Sequence, residues 1–173
     1  MGIHASPTCV LNFENSVGWL VGGRHRGMRC MFTVMNNARL AVGHQGLGVA
    51  ERAFQQALAY ARERVQGGVP IIEHPDVRRM LLTQKAYGEG GRCFAYWLAL
   101  QADVAESHPD EDVRKAAHDM LSLLTPIVKA FLTDNGHIAT NACMQVFGGH
   151  GFIKEWGMEQ YVRDRSEEHT SEL

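Results

Sequence analysis

The chain has 173 residues, 45% of them hydrophobic and 21% charged, with a formal net charge of −2. That length is enough for one domain with a substantial core, and the near-neutral charge offers no broad electrostatic footprint for nucleic acid or an anionic membrane. Cys9, Cys30, Cys93 and Cys143 form no CxxC or Cys/His cluster, which argues against a disulfide framework or a zinc site and reads as reduced thiols in a cytoplasmic protein.

At the N-terminus, Thr8-Cys-Val-Leu-Asn-Phe13 alternates and is β-prone, Asn15-Ser16 offers a turn, and Val17-Gly-Trp-Leu-Val21 follows. The pattern predicts a β-hairpin. Two strands alone are marginal in water, so the hairpin needs a sheet that the chain does not contain, which is expected to reflect truncation. No apolar run reaches the length of a membrane span, and no basic start with an apolar stretch marks a signal peptide.

From Met31 the period becomes helical. Leu40, Gly43, Leu47, Ala50, Phe54, Ala57 and Ala61 recur at steps of three and four until Gly67-Gly68 and Pro70 end the stripe. A second stripe runs from Val77 to Ala105, and Pro75 suits its first turn. A third runs from Val113 to Phe131, where Pro126 is expected to bend or divide it. A short fourth helix is expected from Asn135-Gly136 to Phe147. The fold class is therefore mainly α, an antiparallel four-helix bundle preceded by a short β-hairpin.

Two glycine regions stand out. Gly43, Gly46 and Gly48 lie within a helix with no strand before them, so close helix approach accounts for them better than a dinucleotide fingerprint. Gly148-Gly-His-Gly151 follows a helix directly. It reads either as a C-cap and turn or as a place where backbone N–H groups meet a phosphate or a flat ring without a Cβ in the way. Gln145 and Phe147 would add an amide and an aromatic face. Arg39 interrupts an apolar helix start with Asn36 one turn away, which suits either a snorkelling cation or recognition of an anion or carbonyl. His44, His74, His118 and His150 lack a second ligand at metal spacing, and no Ser/His/Asp order or GxSxG elbow occurs. No metal site is expected.

In that helical context, Gln145-Val-Phe-Gly-Gly-His-Gly-Phe152 with Glu159 and Val162-Arg-Asp164 resembles the C-terminal domain of acyl-CoA dehydrogenases. Asn36-Asn-Ala-Arg-Leu-Ala-Val-Gly43, Ala50–Ala57 and Tyr60-Ala-Arg-Glu-Arg64 extend the resemblance. Cys143–Met158 most resembles the branch that contains 3-methylmercaptopropionyl-CoA dehydrogenase.

The resemblance implies FAD as cofactor, an acyl-CoA thioester as substrate and 2-enoyl-CoA as product. It also implies an acceptor resembling electron-transfer flavoprotein, and a homo-oligomer joined through the bundle. Matched one position at a time, Arg64 would contact FAD of a neighbouring subunit. Gln145, Val146, Phe147, Gly148 and Gly149 would lie along its adenosine and pyrophosphate side, and Asn36 and Arg39 near the acyl-CoA. On this reading residues 1–24 end the middle β-domain, 25–164 form the bundle and 165–173 are an unmatched, foreign tail.

One departure bears on activity. The family's glutamate base lies in a Tyr-Glu-Gly-Thr motif beyond the match to Asp164, where this chain reads Arg165-Ser-Glu-Glu-His-Thr-Ser-Glu-Leu173. The alternative base position, just before Arg39, holds Ala38. No catalytic residue is therefore assigned, and the chain is expected to be inactive alone. A fragment of an acyl-CoA oxidase and a non-catalytic, self-associating helical module remain as alternatives.

Overall fold

The structure, a computed structural model, describes residues 9–170. Helix α1 spans Gly27–Glu63, starting one turn before the periodic stripe becomes evident. Its buried face is built from small residues: Gly43, Gly46, Ala50, Ala53, Ala57 and Ala61, with Leu47. Small side chains let neighbouring backbones approach. A Cβ on Gly43 would stand 3.2 Å from Leu132 Cδ1, so close helix approach explains that glycine. It does not explain Gly48, which faces open space.

Arg64 caps α1, and its backbone N–H donates to Tyr60 O at 2.9 Å. A two-stranded antiparallel ladder follows, β1 (Val65–Gln66) and β2 (Val69–Pro70). Val65 pairs with Pro70 and Gln66 with Val69. Gly67 and Gly68 have φ of +65° and +86°, the two positive values that a tight I′ hairpin turn demands. The turn reverses the chain, a 3-10 turn at Ile71–Glu73 follows, and α2 begins at Pro75 and runs to Ser107. Pro75 occupies the first helical turn, as its spacing predicts.

Helix α3 spans Glu111–Val146 and is opened by Asp110, whose side chain accepts from the backbone N–H groups of Asp112 and Val113. It corrects two expectations. Pro126 does not divide it, and Asn135-Gly136 does not separate a third helix from a fourth. Proline removes one backbone bond, but α3 packs against both α1 and α2 along its length, and such packing outweighs a local breaker. Asn135 stays helical with its Nδ2 donating to Phe131 O, and Gly136 is buried. The fourth helix, α4, is instead Met158–Thr170, reached through 3-10 turns at Gly148–Phe152 and Lys154–Trp156.

The hairpin expected over Thr8–Val21 also needs correction. Thr8 lies outside the described residues, and residues 9–21 form no strand, with Phe13, Val17 and Trp19 exposed. Nothing in the bundle offers these residues a sheet to join. The short antiparallel hairpin of the fold is the β1–β2 ladder, between the first two helices rather than before them.

Two core clusters set the helix directions. Leu47, Ala95, Leu98, Val128 and Leu132 fill one. Ala53, Ala57, Ala61, Ile71, Leu81, Cys143, Val146, Phe147 and Met158 fill the other. In both, α1 and α3 ascend together while α2 descends, so α2 is the antiparallel member. No helix of the described residues is long and apolar enough to cross a membrane.

Candidate functional site

The second cluster closes the bundle end where α1 stops, α2 starts and α3 stops. A concavity of about 330 Å³ opens there, lined by Arg64, Gln145, Val146, Phe147, Gly148 and Gly149, with Tyr60, Gln66, Ile71, His74, Val77 and His150. All six residues expected at a cofactor edge therefore lie around one groove. They contribute differently. Arg64, Gln145, Gly148 and Gly149 are exposed to it, whereas Val146 and Phe147 are more than nine-tenths buried in the core.

The glycine turn is shaped from beneath. Gly148 has φ of +60°, a left-handed conformation that costs glycine nothing. A Cβ on Gly151 would run into the Met144 carbonyl, so the turn lies directly on the last turn of α3. A Cβ on Gly148 or Gly149 would meet nothing within 4 Å, which leaves their backbone facing open groove.

An aromatic stack that sequence reasoning missed fixes the turn from the side. Tyr60 stacks on Phe147 with centroids 4.1 Å apart, and its hydroxyl is 3.0 Å from His150 Nδ1. His150 in turn stacks on Trp156 at 4.9 Å. The available signal was spacing: Tyr60 lies one helical turn before Arg64, on the same face. His74, at the cap position of α2, makes no capping bond. Its Nε2–H donates to Gln66 O at 3.1 Å and ties the hairpin to the groove wall.

Chemically, the groove suits an anion with a flat appendage. No carboxylate lines it, Arg64 makes no ion pair among the described residues, and a guanidinium matches phosphate geometry. The residues present therefore fit the phosphate-bearing half of a dinucleotide.

The second pair of candidates lies elsewhere. Asn36 and Arg39 line a cavity of about 440 Å³ between α1 and α3, with Thr33, Asn37, Leu40, His118, Ser122 and Thr125 among its walls. His118, Leu121, Ser122 and Thr125 share one face of α3. That polar face against Arg39 was not recognised from sequence. No carboxylate lines this cavity either, and Ala38 is not among its walls. Along α1, Arg39 and Arg64 are separated by roughly 38 Å of rise, so the groove and the cavity are two distinct sites on one chain.

Cys143 belongs to neither. Its buried Sγ–H donates to Gln84 Oε1 at 2.7 Å, and burial pushes the thiol pKa up from 9.0 to about 12. A thiol so held is not a nucleophile near neutral pH. No group of three or more His, Cys, Asp or Glu that could hold a metal occurs among the described residues.

Comparison with known proteins gives this geometry a context. The 3-methylmercaptopropionyl-CoA dehydrogenase of Ruegeria pomeroyi is 46% identical over 95% of this chain and 29% of its own length. A butyryl-CoA dehydrogenase of Syntrophomonas wolfei is 37% identical over 95% of the chain and 30% of its own length. The chain thus spans about three-tenths of the length of these two relatives. The structure of butyryl-CoA dehydrogenase from Megasphaera elsdenii overlays on 87% of this chain and 36% of its own, with a TM-score of 0.75 at 24% identity. The likeness at that identity is one of fold. Residues 25–166 match the family model for the C-terminal domain of acyl-CoA dehydrogenase, and on this match the chain belongs to the acyl-CoA dehydrogenase family.

Proposed function

We propose that this chain forms the helical wall of a FAD-dependent acyl-CoA dehydrogenase, residues 25–164 being the bundle domain. The groove at Arg64 takes the adenosine and pyrophosphate half of FAD, and the cavity at Asn36 and Arg39 faces the acyl-CoA. The observation that carries the reading is that Arg64 at the end of α1, Gln145, Val146 and Phe147 at the end of α3, and Gly148 and Gly149 of the following turn line one groove free of carboxylates. Bound FAD supplies the hydride-accepting ring. Arg64 holds phosphate charge, the Gly148–Gly149 backbone admits close approach, and the Tyr60–His150–Trp156 stack keeps that backbone in place. The roughly 38 Å of helix rise between Arg64 and Arg39 supports a cofactor shared between copies, one chain holding the adenosine and pyrophosphate end and its neighbour the flavin end.

Self-association on this reading uses the exposed α3 row of Leu123, Ile127 and Phe131, spaced one turn apart. The substrate is an acyl-CoA thioester, the acceptor resembles electron-transfer flavoprotein, and the setting is cytoplasmic. Neither cavity holds a carboxylate and Ala38 cannot accept a proton, so the 173-residue chain alone is expected to form no 2-enoyl-CoA.

Calorimetric titration with ADP tests the groove. The wild-type chain should bind ADP, and Arg64→Ala should weaken binding about tenfold, the scale of one charge-assisted phosphate contact. Equal affinity of the two proteins would refute the assignment. Release of 2-enoyl-CoA by the chain alone would refute the absence of a base.

A further inference from the structure

A third cavity, of about 490 Å³, lies between α1 and α2 and shares no lining residue with the dinucleotide groove or the Arg39 cavity. Its floor is hydrocarbon and aromatic: Phe54 and Leu58 from α1, Ile72 from the 3-10 turn, and Leu81 and Leu82 from α2. Its remaining lining side chains are Arg62, Arg78 and Lys85, with no carboxylate among them. Three cations around an apolar floor are unexpected in a chain of net charge −2.

The cations are placed for use. Arg78 Nε donates to Ile72 O at 3.0 Å. That bond holds the guanidinium at the cavity wall and leaves its terminal nitrogens for another acceptor, so less side-chain freedom is lost on binding. Arg62 makes no ion pair among the described residues. Among the described residues Lys85 pairs only with the exposed Glu89, at 3.7 Å, a contact too solvated to hold it. Leu82, beside these charges, is two-thirds exposed.

We infer that this cavity is a binding site for a small anionic amphiphile, a hydrocarbon tail on the Phe54–Leu58–Leu81–Leu82 floor with a carboxylate or phosphate head between Arg62, Arg78 and Lys85. Its volume lies within the usual range for small-molecule sites. The charge selects the head group, and the floor selects against a bare anion.

The test is calorimetry on the full 173-residue chain with four probes: decanoate, decyl phosphate, decanol and inorganic phosphate. Decanoate or decyl phosphate should bind one to one, at least about tenfold tighter than decanol or inorganic phosphate, since each control lacks one of the two contacts. Whichever of the two amphiphiles binds tighter identifies the head group. Arg62→Ala keeps the Arg78–Ile72 bond and should weaken the preferred amphiphile about fivefold to tenfold. Arg52→Ala, which removes an exposed cation of α1 outside the cavity, should leave that affinity unchanged. ADP affinity should be the same in all three proteins, because the dinucleotide groove shares no residue with this site. Decanol binding as tightly as decanoate and decyl phosphate, inorganic phosphate matching them, or equal losses in the two arginine variants would overturn the inference.

Discussion

The two ends of α1 contrast sharply. At its C-terminal end, Ala53, Ala57 and Ala61 are fully buried against Cys143, Val146 and Met158, and Gly151 of the glycine turn is seated on the Met144 carbonyl. At its N-terminal end, Met28, Met31, Phe32, Val34 and Met35 are exposed, as are Val10 through Val21 before them. Both stretches are rich in apolar residues. What separates them is whether other described residues cover those side chains: alanines and glycines admit a neighbouring helix, while the methionines and Phe32 project from a helix without one. Apolar composition marks a surface that can be buried, and packing partners decide whether it is.

The largest effect comes from disturbing the packed end. Gly151→Ala places a methyl group against the Met144 carbonyl, which is backbone and cannot rotate aside. The expected loss is about 3 kcal/mol of stability or more, measured by urea denaturation, together with loss of ADP binding because the turn must move. Gly149→Ala, three residues along the chain from the last turn of α3 and facing open space, should cost less than about 1 kcal/mol. Equal losses in the two variants would break the picture of a turn seated on α3.

Next in size is an alkaline effect carried by Cys143. Its folded pKa of about 12 exceeds the ordinary 9.0, so the unfolded chain loses its proton first. The stabilising contribution is complete below pH 9 and falls as pH rises toward 12, by at most about 1.4 kcal/mol per pH unit. Cys143→Ala lowers stability at pH 7 through lost packing, but its stability should decline less steeply above pH 9 than that of the wild type. Parallel declines would show that the thiol is not held neutral by burial. The same burial predicts that iodoacetamide at pH 8 modifies the exposed Cys9, Cys30 and Cys93 and spares Cys143 until the chain unfolds.

A smaller effect belongs to the start of α3. Asp110 accepts from the N–H groups of Asp112 and Val113 at 2.9 and 3.4 Å. Asp110→Ala should therefore cost about 1 kcal/mol, read as a shift in the urea midpoint with unchanged slope.

These positions also show what the sequence made legible. The α1 stripe through Gly43, Ala57 and Ala61, and the start of α2 at Pro75, follow from period and proline chemistry that act locally. The groove residues were legible through resemblance, and their spacing alone left a plain C-cap equally open. Pro126 and Asn135-Gly136 misled because a local breaker says nothing of the two helices that flank α3 along its length. The Tyr60–His150–Trp156 stack joins residues 90 and more positions apart, a meeting that only the tertiary fold brings about. The polar α3 face at His118, Ser122 and Thr125 stayed hidden because hydroxyls and imidazoles on a helix read equally well as solvated surface.

The smallest predicted effect tests the contrast from its exposed side. Phe32 is half exposed and sits on the first turns of α1, where residues 31–37 are all exposed. Phenylalanine normally costs 3–5 kcal/mol to truncate inside a core, yet here there is little packed surface to lose. Phe32→Ser should change the stability of this chain by no more than about 0.5 kcal/mol, less than the loss of the Asp110 cap. Because serine removes an exposed aromatic surface, the same variant should also lower the binding of a hydrophobic dye at unchanged helicity. A loss of 2 kcal/mol or more in Phe32→Ser would mean that the N-terminal half of α1 packs against the remainder of this chain in solution, and the division between a covered and an uncovered end would fall.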